Sequence, residues 1–228
     1  MEAETIKVVL LGDSEADKTG LINNFIYHKY DPDRNASLSA QYVSKTIEFP
    51  DSGNSIKFDI WDTPGQEKFR SIPQIFYMDA KAIILVYDIT SRNSFESIKN
   101  TWYEEVKKNC KQNPILAVVA NKTELYESQM VSHDEGAEFA KSIGAIFQTV
   151  SKLSDSGVNE LFYNIGMTYL TGNRNYYYDS LKKKEEEYRK KRDEEWKKNS
   201  KIEMNLGKEK EKEEEKEKEK KDKKCLCY

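Results

Sequence analysis

A lysine–threonine pair follows a short apolar run and a glycine at a spacing that suits phosphate chemistry. The stretch from Val8 to Gly20 reads VVLLGDSEADKTG and matches G-x-x-x-x-G-K-[ST] except at Asp17, which replaces the second glycine. In such a loop, backbone N–H groups and a helix N-terminus surround a phosphate, the lysine adds a positive charge, and the hydroxyl binds Mg²⁺. The sequence therefore predicts a phosphate site, into which Glu15 and Asp17 bring two carboxylates.

Six short apolar runs supply the strands that must position this loop. Four are nearly continuous in hydrophobicity, as buried parallel strands are: Ile6–Leu11, Ala82–Tyr87, Ile115–Ala120 and Ala145–Val150. Two more, Gln41–Phe49 and Ser55–Trp61, flank a turn signal at 51–54 and predict a hairpin.

Helical patterns separate the strands. They predict helices at about 18–28, 68–78, 93–110, 133–142 and 157–170. This alternation predicts a doubly wound α/β fold whose six-stranded sheet is mostly parallel, with one antiparallel edge strand. Ligands of such a sheet bind at the C-terminal ends of the parallel strands, which is where Gly12 falls.

The charge balance and the cysteine content indicate which partners and which cellular compartment to expect. The 228 residues carry a net charge of -3, which divides into +4 over residues 181–224 and -7 over the rest. An acidic body with a mildly basic tail argues against nucleic acid as a partner and is compatible with a tail near an anionic surface. Three cysteines do not make a disulfide framework, and the N-terminus has neither a secretory nor an N-myristoylation signal. The small number of cysteines favours the reducing cytosol. No apolar run reaches the roughly 18 residues of a membrane span.

Five stretches in chain order resemble the motifs of the small GTPase superfamily over residues 5–170. They are GDSEADKT at 12–19, Ser37, WDTPGQE at 61–67, NKTE at 121–124 and Ser151 after the last strand. Within that superfamily the Rab family is the closest match, because three segments resemble those that distinguish Rabs: Lys45–Phe49, Lys68–Ile72, and Tyr77 with Ala80. Each motif alone is weak, and the order of all five carries the resemblance.

The resemblance implies a guanine-nucleotide site that takes GTP or GDP together with Mg²⁺. The implied nucleotide-binding residues are Gly12, Asp13, Ser14, Glu15, Ala16, Asp17, Lys18, Thr19, Gly20, Gly65, Asn121, Lys122, Glu124, Ser151 and Lys152. The implied metal ligands are Thr19, Ser37 and Asp62. Lys18 is implied to bridge the β- and γ-phosphates, and Gln66 is implied to be the catalytic residue that orients the attacking water.

The base-reading segment departs from the family pattern Asn-Lys-x-Asp. The residue implied to accept two hydrogen bonds from guanine is Glu124, one methylene longer than aspartate. Because a fork-like contact is sensitive to that length, the change implies weaker discrimination against adenine. Residues 151–153 read Ser-Lys-Leu in place of the family's Ser-Ala-Lys and still offer a backbone N–H to the base.

The phosphate loop and the segment after Asp62 depart further from the family pattern. Glu15 stands where the family has a small residue beside the γ-phosphate and the catalytic glutamine, and Asp17 replaces a glycine that approaches the β-phosphate. Pro64 replaces an alanine and stiffens the root of switch II, the segment 61–77. Gly20 weakens the first turn of the following helix. Together these changes imply intrinsic GTP hydrolysis about tenfold or more below that of an ordinary Rab.

The chain is predicted to divide into a Rab-like G domain, 1–171, and a charged tail, 172–228. Residues 181–224 hold 19 Lys+Arg and 15 Asp+Glu, so the tail is predicted to be a solvated arm, partly helical or disordered, with a coiled-coil partner segment around 181–206 as the alternative. Cys225 and Cys227 resemble the Cys-x-Cys ending that Rabs carry for prenylation, and the last four residues also read as C-a-a-X. Either pattern predicts a lipid anchor, and two free thiols are the alternative.

Three functions stay open from the sequence. The first is a prenylated Rab-like switch in vesicle traffic, on the cytosolic face of an intracellular membrane and cycling with the cytosol. Its small-molecule partner would be guanine nucleotide. Its protein partners would be effectors and an exchange factor, which bind at 37–49 and 61–77, together with chaperones for prenylation and for GDP dissociation. The second is a Rab-shaped scaffold that binds nucleotide weakly or not at all. The third is a coiled-coil or membrane tether formed by the tail, with the G domain as its cap.

Overall fold

The computed structural model describes residues 3–27, 41–50, 52–63, 76–110, 112–151, 157–194 and 196. These residues form one six-stranded sheet in the order β2-β3-β1-β4-β5-β6. The strands are β1 Glu4–Leu11, β2 Gln41–Phe49, β3 Asn54–Asp62, β4 Ala82–Asp88, β5 Ile115–Asn121 and β6 Ile146–Thr149. The edge strand β2 pairs antiparallel with β3, whereas the other pairings are parallel. The predicted fold class, the six strands and the hairpin are therefore confirmed.

Helices cover both faces of the sheet. They are α1 Lys18–Tyr27, α2 Arg92–Ser97, α3 Tyr103–Asn109, α4 His133–Ser142 and α5 Val158–Thr171. The helix predicted at 93–110 is present as α2 and α3 joined by one π-helical turn, Ile98–Trp102. The helix predicted at 68–78 falls mostly outside the described residues.

The two faces of β1 show why the strand is apolar from Val8 to Leu11. Ile6, Val8 and Leu10 pack into the core layer that α1 and α5 cover, while Val9 and Leu11 pack into the layer beneath α2, α3 and α4. The neighbouring strand β4 is buried along its whole length. Central parallel strands that are covered on both faces read as continuous hydrophobic runs, which is the pattern seen in the sequence.

The compact unit continues beyond α5 to Tyr178. Arg174 Nη1 donates to the carbonyl oxygen of Pro114 at 3.0 Å, and the Tyr178 hydroxyl donates to that of Ala145 at 2.6 Å. The Tyr177 hydroxyl donates to the carbonyl oxygen of Phe147, at the edge strand β6. These bonds explain why a segment that looks polar in sequence belongs to the folded body.

The second unit begins at Asp179. Its described residues, 179–194 and 196, are helical, and nearly all of them are exposed. Among the helices that the structure describes, none has both the length and the apolar character needed to cross a membrane. Cys225 and Cys227 lie outside the described residues.

Candidate nucleotide-binding site

The loop after β1 has the backbone of a phosphate cradle. At Gly12 the φ angle is +148°, and a Cβ there would lie 2.2 Å from the carbonyl oxygen of Val86, so this approach to β4 requires glycine. Residues Ser14–Ala16 make one 3₁₀ turn. Asp17 follows in the left-handed region, with φ 54° and ψ 47°, and α1 begins at the next residue. Asp17 therefore holds a backbone conformation that most residues other than glycine resist.

Lys18 brings a positive charge into this loop. Its side chain is buried, and its ammonium donates to the carbonyl oxygens of Gly12 at 2.7 Å and Asp13 at 3.0 Å. Burial lowers the pKa of Lys18 to about 8, although the carboxylates of Asp62, Asp13 and Asp17 act in the opposite direction. At neutral pH the lysine is therefore still mostly protonated, and a phosphate in the loop would face a poorly hydrated cation.

Two oxygen-bearing side chains that could bind a metal ion, those of Thr19 and Asp62, meet beside Lys18. The Thr19 hydroxyl donates to the Asp62 carboxylate, at the C-terminal end of β3, where Asp62 is buried. The next residue, Thr63, donates its hydroxyl to the Leu10 carbonyl oxygen at 2.6 Å and so fixes the chain after β3 against β1. A hydroxyl and a carboxylate fit Mg²⁺, which commonly takes one or two carboxylates and completes its shell with phosphate and water.

Several predicted site residues cannot be placed in this geometry. Ser37, Pro64, Gly65, Gln66 and Lys152 all lie outside the described residues. Thr19 and Asp62 are thus the part of the implied metal set that the described chain brings together.

The base-reading segment follows β5 and contacts the phosphate loop directly. The buried Asn121 amide donates to the Ala16 carbonyl oxygen at 2.8 Å, which joins two stretches 105 residues apart. Lys122 adopts a left-handed conformation with φ 63°. Glu124 then lies half-buried in the 3₁₀ segment Thr123–Ser128. Buried Ser151 follows β6 at the same edge of the sheet.

Asp88 is a site residue that the sequence analysis did not identify. Its carboxylate, at the C-terminal end of β4, lies 2.6 Å from the Lys122 ammonium. It is buried, and it also accepts hydrogen bonds from the backbone N–H and the hydroxyl of Thr90. The rule that ligands gather at the C-terminal ends of parallel strands is a signal that pointed to this residue.

Glu15 contacts the segment that follows β4. Its exposed carboxylate accepts a hydrogen bond from the Ser91 hydroxyl at 3.4 Å. Together with Asp88, Ser91 and Lys122 it lines a cavity of about 490 Å³. Its described contact is thus on the Lys122 side of the loop.

Asp17 carries the second added carboxylate, and it folds back over the start of α1. Its Oδ1 accepts the backbone N–H of Gly20 at 3.2 Å. Asp13, at the start of the loop, is held separately by the Trp102 indole, whose Nε1 donates to Asp13 Oδ1 at 3.0 Å. Both contacts join residues that a motif pattern treats as independent.

Comparison with known proteins gives consistent matches for the part of the chain that contains the sheet. Residues 7–171 match the Ras family. The chain is 34% identical to the Ras-related protein Rab-22A of Homo sapiens over 165 residues, which cover 72% of this chain and 84% of that protein. It is 34% identical to the Ras-related protein SEC4 of Saccharomyces cerevisiae over 160 residues, or 70% of this chain and 73% of that protein. It is 35% identical to the Ras-related protein Rab-21 of Homo sapiens over 163 residues, or 72% and 71% of the two chains.

Proposed function

The chain is a Rab-type small GTPase of the Ras family, and from this premise we propose that it is a guanine-nucleotide switch in vesicle traffic whose GTP hydrolysis is slow. The observation that carries the proposal is the meeting of Lys18 with the Thr19–Asp62 pair at the C-terminal edge of the sheet. In this proposal Lys18 and the α1 N-terminus hold the phosphates, and Thr19 and Asp62 hold Mg²⁺. The segment from Asn121 to Glu124 holds the base.

We attribute the slow hydrolysis to the residues that would surround the phosphates. Asp17 places a carboxylate at the first turn of α1, and a like-charge pair about 4 Å apart costs on the order of 4 kcal/mol at an effective dielectric of about 20, which opposes phosphate binding. Pro64 comes directly after Thr63, whose hydroxyl is already fixed to β1, so switch II begins from a stiff root. Glu15 adds charge on the Lys122 side of the loop.

The hydrolysis proposal is tested by a single-turnover assay on GTP-loaded protein, with human Rab-22A as the control. We expect a rate about tenfold or more below the control, because the phosphates lie beside an added carboxylate and a constrained switch II. A rate equal to that of the control would refute slow hydrolysis without affecting the assignment of the nucleotide site.

A scaffold that binds nucleotide weakly is the second candidate function. The observation that favours it is the Asp17 carboxylate on the Gly20 amide, which is one of the N–H groups that a phosphate would otherwise use. Denaturing the purified chain and separating the released nucleotides by chromatography distinguishes the two functions. About one GDP or GTP per chain supports the switch, and its absence supports the scaffold.

We further propose that the tail attaches the G domain to the cytosolic face of an intracellular membrane through prenylated Cys225 and Cys227. Two lipid chains, or one chain with the adjacent lysines, give stable anchoring, whereas one chain alone is marginal. Replacing both cysteines by serine should release the protein to the cytosol. Deleting 181–222 while keeping the last six residues tests whether the tail has a role of its own, since unchanged targeting and partner binding would exclude the tether function.

Effectors, an exchange factor and prenylation and GDP-dissociation chaperones are the proposed protein partners, through 37–49, 61–77 and the tail. Part of this surface lies in strand β2, where Tyr42 is exposed and packs against Trp61 of β3 with ring centroids 5.3 Å apart. Exposed aromatic side chains are common anchors in protein interfaces. Loss of effector binding on Tyr42→Ala, with nucleotide content unchanged, would support this surface.

A further inference from the structure

Asp17, which replaces the second glycine of the phosphate-loop pattern, contacts Gly20. Gly20 is itself a poor helix former in the first turn of α1. Asp17 is the residue before the first turn of α1, and its Oδ1 accepts the N–H of Gly20 at 3.2 Å. A side chain that accepts an amide two or three positions into a helix is a helix N-cap, which satisfies a donor that has no partner within the helix. The loop thus carries an anionic cap of its own.

The glycine at position 20 is what leaves room for this cap. A Cβ built on Gly20 would lie 2.5 Å from Oδ2 and 2.6 Å from Oδ1 of Asp17. Contacts that short do not occur, so any other residue at position 20 displaces the carboxylate. Glycine is otherwise the poorest choice inside a helix after proline. Its position in the first turn of α1 is therefore explained by the carboxylate that it accommodates.

The same amide belongs to the phosphate site. The first hydrogen bond within α1 runs from the N–H of Leu21 to the carbonyl oxygen of Asp17, so the Gly20 N–H precedes the regular ladder. Amides in this position, next to the buried ammonium of Lys18, are what a phosphate uses at a helix N-terminus. A carboxylate and a phosphate are both anionic acceptors, and one N–H serves one of them at a time.

We propose that Asp17 and Gly20 form an internal cap that stabilises the nucleotide-free loop and that a nucleotide phosphate must displace. Gly20 is the positioning residue, because it acts by admitting the Asp17 carboxylate to the amide. The chain then alternates between a self-capped empty state and a nucleotide-bound state, and nucleotide binding itself becomes the regulated step. This inference rests on the proposed nucleotide site.

A thermal double-mutant cycle on nucleotide-free protein tests the contact. The variants are Gly20→Ala, Asp17→Gly and the double variant, measured after removal of nucleotide and Mg²⁺ with a chelator. Gly20→Ala is expected to lower the Tm of the parent chain, because it expels the cap, and to raise the Tm in the Asp17→Gly background, where only the gain in helix propensity remains. A shift of the same sign in both backgrounds would overturn the proposal, since a merely structural glycine behaves alike in each.

GDP titrations in Mg²⁺ test the displacement. Asp17→Gly is expected to bind GDP at least about tenfold more tightly than the parent chain, which corresponds to about 1.4 kcal/mol. Asp17→Asn keeps an N-cap without the charge and tolerates the left-handed backbone, so it should keep the parent Tm and bind GDP with intermediate affinity. Equal affinity for the parent, Asp17→Gly and Asp17→Asn would overturn the inference while leaving the proposed nucleotide site intact. If Asp17→Gly and the parent both fail to bind GDP, the proposed function fails, and with it the displacement that the inference requires.

Discussion

Raising the pH should stabilise the nucleotide-free protein through Lys18. Burial lowers the pKa of Lys18 from 10.5 to about 8 in the folded protein, despite the nearby carboxylates of Asp62, Asp13 and Asp17. Between those two values the unfolded state binds more protons than the folded state, so the free energy of unfolding rises with pH. At about 1.4 kcal/mol per pH unit, the free energy of unfolding rises by about 3.5 kcal/mol between pH 8 and pH 10.5. Below pH 8 the buried charge exerts its full destabilising effect, and above pH 10.5 that effect is gone.

Urea unfolding at pH 7, 8, 9 and 10 measures this effect against a matched variant. Lys18→Met keeps a long unbranched side chain, one atom shorter than lysine, and does not titrate, so the pH dependence of the difference in unfolding free energy between the two proteins isolates the lysine. Groups common to both, such as the buried tyrosines, cancel in that difference. We expect the parent chain to gain stability relative to Lys18→Met from pH 8 upward. A difference that stays constant or falls over this range would refute the reasoning.

Two substitutions test the backbone and the ion pair of the site. Gly12→Ala should destabilise the fold by about 3 kcal/mol, because its Cβ would lie 2.2 Å from the Val86 carbonyl oxygen at φ +148°. Gly53→Ala, at φ +65° with nothing within 4 Å, is the control and should cost only about 1 kcal/mol, both measured by urea unfolding. Asp88→Asn removes the carboxylate 2.6 Å from the Lys122 ammonium and should weaken GDP binding about tenfold in a fluorescence titration. An unchanged Kd would show that Asp88 does not position the lysine for the base.

The strands could be predicted because their burial leaves little choice of residue. Every residue of β4 is buried, and a run such as Ala82–Asp88 has few other stable placements in a chain of this length. The strained position in the phosphate loop could also be predicted, since Asp17 stands where the pattern requires glycine. In both cases a local stretch of sequence contains the physical constraint.

The contacts that the sequence did not reveal join residues far apart in the chain. The π-helical turn at Ile98–Trp102 interrupts a regular apolar pattern, and it places the Trp102 indole on the Asp13 carboxylate, 89 residues away. The pairing of Asp88 with Lys122 likewise depends on the adjacency of β4 and β5. Side-chain pairs of this kind are set by the packed sheet, and hydrophobic periodicity carries no information about them.

The charges around Lys18 give a physical reason for the proposed metal ion. Three carboxylates act on one buried ammonium, and burial still outweighs them in setting its pKa. Each carboxylate also accepts a hydrogen bond from an uncharged donor: Asp13 from Trp102, Asp17 from Gly20, and Asp62 from Thr19. These donors add no positive charge, so the single charge of Lys18 does not balance the three carboxylates. In the proposed nucleotide-bound state, a polyphosphate entering this loop would add to an excess of negative charge, which Mg²⁺ at Thr19 and Asp62 would offset.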